Sequence, residues 1–137
     1  MTPPAPSAAF LGQLLRFAVV GGSGVVVDAA VLHLALGLGA GLYGGRVLSY
    51  LVAASSNWAL NRAWTFRAAP PRPAGRQWLM FLLVNLLGFA VNYGTYAALV
   101  ALWPLAAAWP ALAVAAGALA GMAGNFLLSR RLVFGAA

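Results

Sequence analysis

Residues 53–66 read Ala53-Ala54-Ser55-Ser56-Asn57-Trp58-Ala59-Leu60-Asn61-Arg62-Ala63-Trp64-Thr65-Phe66. Residues 121–134 read Gly121-Met122-Ala123-Gly124-Asn125-Phe126-Leu127-Leu128-Ser129-Arg130-Arg131-Leu132-Val133-Phe134. Asn, a polar residue four later, Arg and Phe recur at one offset of 68 positions. Each phrase closes a long apolar run, so its polar groups fall where a membrane helix meets water. Upstream, Phe17, Gly24 and Asp28 align with Phe81, Gly88 and Asn92 at an offset of 64 positions. The duplicated unit is therefore a whole hairpin of two spans.

The surrounding composition is that of a membrane protein. The chain has 137 residues, 64% of them hydrophobic and 7% charged, where a soluble domain carries about 25% charged residues. Cysteine is absent, which excludes disulfide and thiol chemistry. The formal charge is +7, with eight arginines against a single acid, Asp28. The arginines are scattered at segment ends rather than gathered in a patch, which argues against nucleic acid as a partner and for topology signals.

Four segments, about 15–37, 46–65, 77–101 and 110–130, approach the ~20 residues needed to cross a ~30 Å hydrocarbon core. In the first, the Val, Leu and Phe residues between 17 and 38 supply roughly −3 to −6 kcal/mol, against ~+3 for a central Asp. It inserts despite Asp28. The second is weakest, lying between Arg46 and Arg62, whose snorkelling side chains supply the missing length. Arg16, Arg62, Arg67, Arg72, Arg76, Arg130 and Arg131 fall on one side of this arrangement; Arg46 alone lies on the other, and the loop at 102–109 has none. By the positive-inside rule both termini are cytoplasmic. The expected fold is an all-α membrane protein of four transmembrane helices, arranged as two parallel-repeat hairpins (about 15–66 and 77–134). A disordered lead, 1–14, precedes this single domain, and a proline-rich linker (Ala68-Ala69-Pro70-Pro71-Arg72-Pro73) joins the hairpins.

Several residues are candidates for chemistry. Asp28 shares a helical stripe with Gly21 and Gly24, as Asn92 does with Gly88 and Asn85. Small-and-polar stripes let helices approach and line a polar seam. Counted back from the hairpin tip, Asp28 falls level with Ser55 and Ser56. An acid inside a membrane is by default a functional residue; the alternative is a buried, protonated Asp that only bonds its neighbours. His33 lies about 140° from Asp28 around the helix, and a lone His makes no metal site. Gly21-Gly22-Ser23-Gly24 lacks the spacing and setting of a phosphate loop. Asn57 and Asn61, and likewise Asn125 and Ser129, put two polar groups on one face at a span's end. Amides and hydroxyls suit sugar or phosphate oxygens, and Arg16, Arg62 and Arg130 stand at the same level, where guanidinium suits phosphate. Topology alone also explains arginines there, and Asn85, level with Asn125, makes a purely structural amide pair the competing reading. The tryptophans form an ordinary interfacial belt.

With Arg16-Phe17, the phrase Asn57-x-x-x-Asn61-Arg62-x-Trp64-Thr65-Phe66 and its echo Asn125-x-x-x-Ser129-Arg130-x-x-x-Phe134, residues 14–135 resemble the GtrA-like family of small four-helix membrane proteins. Leu132 departs from the family pattern, which often has an aromatic there. The resemblance implies translocation of a polyprenyl-phosphate-linked sugar across the cytoplasmic membrane for cell-surface polysaccharide synthesis. Arg16, Arg62 and Arg130 would then capture the phosphate, and Asn57, Asn61, Asn125 and Ser129 the sugar or phosphate oxygens. Asp28, Asn85 and Asn92 would form the mid-membrane polar step, with Asp28 exchanging a proton. The expected partners are that lipid, membrane lipids and a second copy of the chain in a dimer. No cofactor or metal is called for. A scaffold that recruits a membrane glycosyltransferase is the alternative; a proton-coupled exporter lacks the aromatic cage its cation would want beside Asp28. An enzyme is disfavoured because no nucleophile–base pair is available.

Overall fold

The computed structural model describes residues 5–136, and all regular structure among them is helical. In order come α1 (Ala8–Gly37), α2 (Leu42–Leu60), a π-helical turn π1 (Asn61–Thr65), α3 (Ala74–Leu102), a short α4 (Pro104–Ala108), α5 (Pro110–Leu128) and a second π-helical turn π2 (Ser129–Val133). The chain divides after Ala68 into two units. Each is one antiparallel hairpin, the first made of α1, α2 and π1, the second of α3, α4, α5 and π2. The proline-rich linker is irregular, as expected, and α4 occupies the stretch read as a plain loop. Of the lead at 1–14, residues 1–4 lie outside those described; from Ala8 onward it is helix, capped by the Ser7 hydroxyl accepting from the Phe10 N–H at 3.2 Å.

The hairpin tips follow from local chemistry. α1 stops in a Schellman motif: Gly39 takes φ +89°, its N–H reaching Leu36 O at 3.1 Å while Ala40 N–H reaches Ala35 O at 2.9 Å. Only glycine adopts that conformation without cost. The chain re-enters helix at once, at Leu42, four residues before the start expected at Arg46. In the second hairpin Pro104 and Pro110 stand at the first positions of α4 and α5, where a missing N–H costs nothing.

Both hairpins close on a stripe repeating every four residues. It runs Gly45, Ser49, Ala53, Asn57, Asn61, Thr65 in the first and Ala113, Gly117, Gly121, Asn125, Ser129, Val133 in the second, and all but Asn57 and Asn125 are buried. Small residues at this spacing let two membrane helices approach to backbone contact. A four-residue step overshoots the 3.6-residue turn by about 40°, so the stripe drifts around the helix. The π turns absorb the drift at its end. Their marks are the Phe66 N–H bond to Asn61 O at 2.8 Å and the Phe134 N–H bond to Ser129 O at 2.9 Å, each five residues back. Each π turn then delivers a phenylalanine onto the first helix of its own hairpin. Phe66 lies 6.3 Å from Phe17, and Phe134 lies 6.1 Å from Phe81, edge to face. Phe134 is 1% exposed; Phe134→Ala is expected to cost about 3 kcal/mol, read as a lowered midpoint of thermal unfolding in detergent.

α1, α3 and α5 with π2 are the three helices long and apolar enough to cross a membrane among the described residues. α2 has 19 residues but carries Arg46, Ser49, Ser55, Ser56 and Asn57. Leu and Val side chains cover the outward faces of both hairpins, including Val25, Val26 and Leu34 on α1 and Leu83, Leu86 and Leu87 on α3, as lipid requires.

Candidate functional site

In each hairpin the first turns of the leading helix meet the π turn, and an open cleft lies at that junction. In the first it measures about 330 Å³ and is lined by Gly12, Gln13, Arg16, Thr65 and Arg67, together with the opening residues of α1. In the second it measures about 400 Å³ and is lined by Arg72, Arg76, Gln77, Met80, Leu132 and Val133. Gln13 and Gln77 are repeat mates at the offset of 64, and Thr65 and Val133 at the offset of 68. The two clefts are thus one feature, built twice.

Their chemistry differs. In the second hairpin Arg72 Nη1 donates to the carbonyls of Leu132 at 2.6 Å and Val133 at 3.2 Å, and Gln77 Nε2 donates to Val133 O at 3.4 Å. These side chains satisfy carbonyls left over at a helix end. Gly135, at φ +64°, leaves room for the guanidinium, since a Cβ there would sit 2.3 Å from Arg72 Nη2. This cleft is largely committed to holding its own chain end. The first cleft sets two guanidinium groups, Arg16 and Arg67, beside the Gln13 amide, the Thr65 hydroxyl and the positive end of α1. Guanidinium groups at a helix N-terminus suit an anion with several oxygens. Arg16 is held over the Trp64 ring at 5.7 Å, and Arg62 over Trp58 at 5.8 Å. Two tryptophans read as belt residues therefore orient arginines.

The asparagines are placed differently from the sequence expectation. Asn57 is wedged against Gly24, where an added Cβ would lie 2.4 Å from its Oδ1. Asn125 is wedged against Gly88 in the same way, at 2.0 Å. Both amides face the interior of their own hairpin, with their Oδ1 atoms buried and without a hydrogen-bond partner. Asn61 is 1% exposed and accepts from the Thr65 hydroxyl at 2.7 Å; Ser129 is fully buried. These four residues pack within the hairpins and line neither cleft. Asn85 Nδ2 donates to Phe81 O at 2.8 Å, and Asn125 Nδ2 reaches Asn85 Oδ1 at 3.5 Å, an arrangement matching the structural amide pair. Asn92 is packed against the backbones of Gly117 and Gly121.

Asp28 is level with neither Ser55 nor Ser56. It forms an ion pair with Arg46 of α2, whose Nη1 also lies 3.5 Å from Ser49 Oγ. The early start of α2 accounts for the shift. Of the three arginines read as phosphate ligands, Arg16 lines the first cleft, and Arg62 and Arg130 line neither. Gln13, Thr65, Arg67, Arg72, Arg76 and Gln77 went unnoticed as site residues. Tracing the offset of 64 one turn upstream of Phe17 would have paired Gln13 with Gln77.

A family model described as GtrA/DPMS, transmembrane domain, matches residues 16–134. No curated protein matches the chain.

Proposed function

The chain belongs to the GtrA/DPMS transmembrane-domain family, and from that premise we propose that it flips a polyprenyl-phosphate-linked sugar across the cytoplasmic membrane. The observation carrying this reading is the first hairpin's cleft, with Arg16 and Arg67 beside Gln13 and Thr65 at the start of α1. The arginines take the phosphate and the amide takes sugar or phosphate oxygens, while the polyprenyl tail stays in lipid. The Thr65 hydroxyl, which donates to Asn61, can only accept from a sugar hydroxyl. The Asn57, Asn61, Asn125 and Ser129 set supports the walls rather than the substrate.

The hairpin register supports four crossings. α1 is long and apolar enough to span, and α2 returns along it from Gly45 against Ala35 to Asn57 against Gly24. A helix fastened to a crossing helix over that length crosses with it. The arginine bias supports both termini being cytoplasmic. Four short helices enclose little volume, so the working unit is a homo-oligomer, a dimer by preference. Residues for nucleophilic or acid–base turnover are missing from the proposal, which is one of transport rather than catalysis.

The test is reconstitution in vesicles with a labelled polyprenyl-phosphate sugar, followed by leaflet-specific detection. The wild type flips it. Arg62→Ala and Arg130→Ala slow the rate by about threefold each, through loss of nearby positive potential; unchanged rates in both remove them from the mechanism. Vesicles that never flip the lipid, from a protein whose deletion still stops polysaccharide output in cells, would favour the scaffold instead.

A further inference from the structure

The first hairpin's ion pair has no counterpart in the second. At the equivalent positions Asp28 becomes Asn92, Arg46 becomes Val114 and Ser49 becomes Gly117. Both hairpins nevertheless share one register: Gly24 meets Asn57 as Gly88 meets Asn125. The second closes without an ion pair, by close contact of Asn92 with Gly117 and Gly121 and of Asn125 with Gly88 and Asn85. An ion pair is therefore not needed to close a hairpin of this design. Arg46 also runs against the topology signal carried by the other seven arginines, and an arginine in a span costs about 3 kcal/mol of insertion.

The pair is also half satisfied. A charge pair retained only for stability in low dielectric needs its remaining donors and acceptors filled. Here Asp28 Oδ1 is buried without a hydrogen-bond partner. The Arg46 side chain is 57% exposed, against 24% for Asp28. It uses Nη1 alone toward Asp28 and Ser49; among the described residues Nε and Nη2 find no partner. Guanidinium with a free edge is a ready fork for a second anion.

We propose that Arg46 is a phosphate ligand on the tip side of the first hairpin, with Asp28 as the resident counter-ion that an arriving lipid-linked phosphate replaces. This rests on the flipping reading and gives it a second station, on the opposite side of the membrane from Arg16 and Arg67. One negative group leaves the guanidinium as another arrives, so Arg46 is never bare. The released carboxylate, left in a span without a cation, favours return to Arg46 and expulsion of the phosphate. Asp28 is thus a positioning and release residue rather than a lone proton carrier.

The experiment measures binding and transport together. Wild type, Asp28→Asn, Arg46→Gln and the double variant are placed in phosphatidylcholine nanodiscs and titrated with geranylgeranyl phosphate, with bound lipid counted by native mass spectrometry. In parallel, each is assayed for flipping in vesicles. Asp28→Asn is expected to bind geranylgeranyl phosphate about tenfold tighter, since its competitor for the guanidinium is gone, and to flip more slowly. Arg46→Gln should cancel that gain in the double variant and flip about tenfold slower or worse. The double variant carries neutral side chains, as the second hairpin does, and keeps the wild-type unfolding midpoint. A merely structural pair gives a different pattern: the single variants lose thermal stability, but phosphate binding never moves in any variant. That result overturns the proposal. Equal tightening toward phosphatidylglycerol would mean a general headgroup site and would overturn the substrate assignment. If wild type does not flip yet Asp28→Asn still gains phosphate through Arg46, the transport reading fails and the Arg46 site stands. If wild type flips and Arg46→Gln flips equally fast, the Arg46 site fails alone.

Discussion

Gly117→Val is expected to dismantle the second hairpin. A Cβ at Gly117 would lie 2.6 Å from the backbone oxygen of Asn92 and 2.7 Å from its Oδ1. A backbone oxygen inside α3 cannot rotate away, so relief requires the helices to part. Parting them loses the contact that holds α5 against α3 along the Gly117–Gly121 stripe, and overpacking of this kind costs about 3 kcal/mol or more. In a hairpin without cross-helix ion pairs that loss is expected to remove most folded protein, measured as recovery of monodisperse material after detergent extraction. Gly94→Val on α3 is the control, because nothing lies within 4 Å of a Cβ there; it should leave recovery unchanged. Gly88→Ala separates the two causes of closeness. Its obstacle is the Asn125 amide rather than backbone, so Asn125→Ala should rescue Gly88→Ala but not Gly117→Val. Normal recovery of Gly117→Val would show that the helices do not approach through the small-residue stripe.

The Arg16→Ala/Arg67→Ala double variant is expected to lower flipping by about a hundredfold, with folding intact. A hydrogen bond to a charged group contributes about 1.5–3 kcal/mol, and two guanidinium groups in the first cleft face one anion. The loss should appear in the rate at low substrate and shrink as the lipid-linked sugar is raised, as expected when binding is weakened uniformly. Arg16→Lys should recover only part of it. An ammonium keeps the charge but loses both the planar fork and the stacking on Trp64. The initial rate against substrate density in the vesicle decides the matter, and a double variant that transports at the wild-type rate would empty this cleft of its role.

Much of this architecture was legible before any coordinates. The Asn-x-x-x-polar-Arg phrase gave away the duplication because it breaks an apolar run twice at one offset. The helix limits followed to within about five residues, except the start of α1, which lies at Ala8 rather than near 15. Asp28 was set too deep because Arg46 was read as the start of a helix that begins at Leu42. A Schellman turn at Gly39 closes the loop more tightly than charge placement suggests. The π turns stayed hidden because periodicity was sought at 3.6 residues, whereas the stripe from Gly45 to Thr65 runs at four. The site residues were harder to read. Asn57 and Asn61 looked like substrate groups since amides cost insertion energy, yet that cost serves the fit of Asn57 against Gly24 and the bond from Thr65 to Asn61. Nothing in residue type alone separates an amide that grips a ligand from one that grips a glycine. Arg67 and Arg72 looked like topology signals because they sit in a linker, where no helical face could be assigned to them.

The Asp28–Arg46 contact and the bare Gly117–Asn92 contact occupy the same place in two copies of one fold, but they come apart by different means. A latch made of opposite charges yields to a competing ion and resets when the competitor leaves. A joint made of two touching main chains has no such key, and opens only when the copy melts. Duplication has therefore left this protein with one half suited to repeated release and one half suited to standing still.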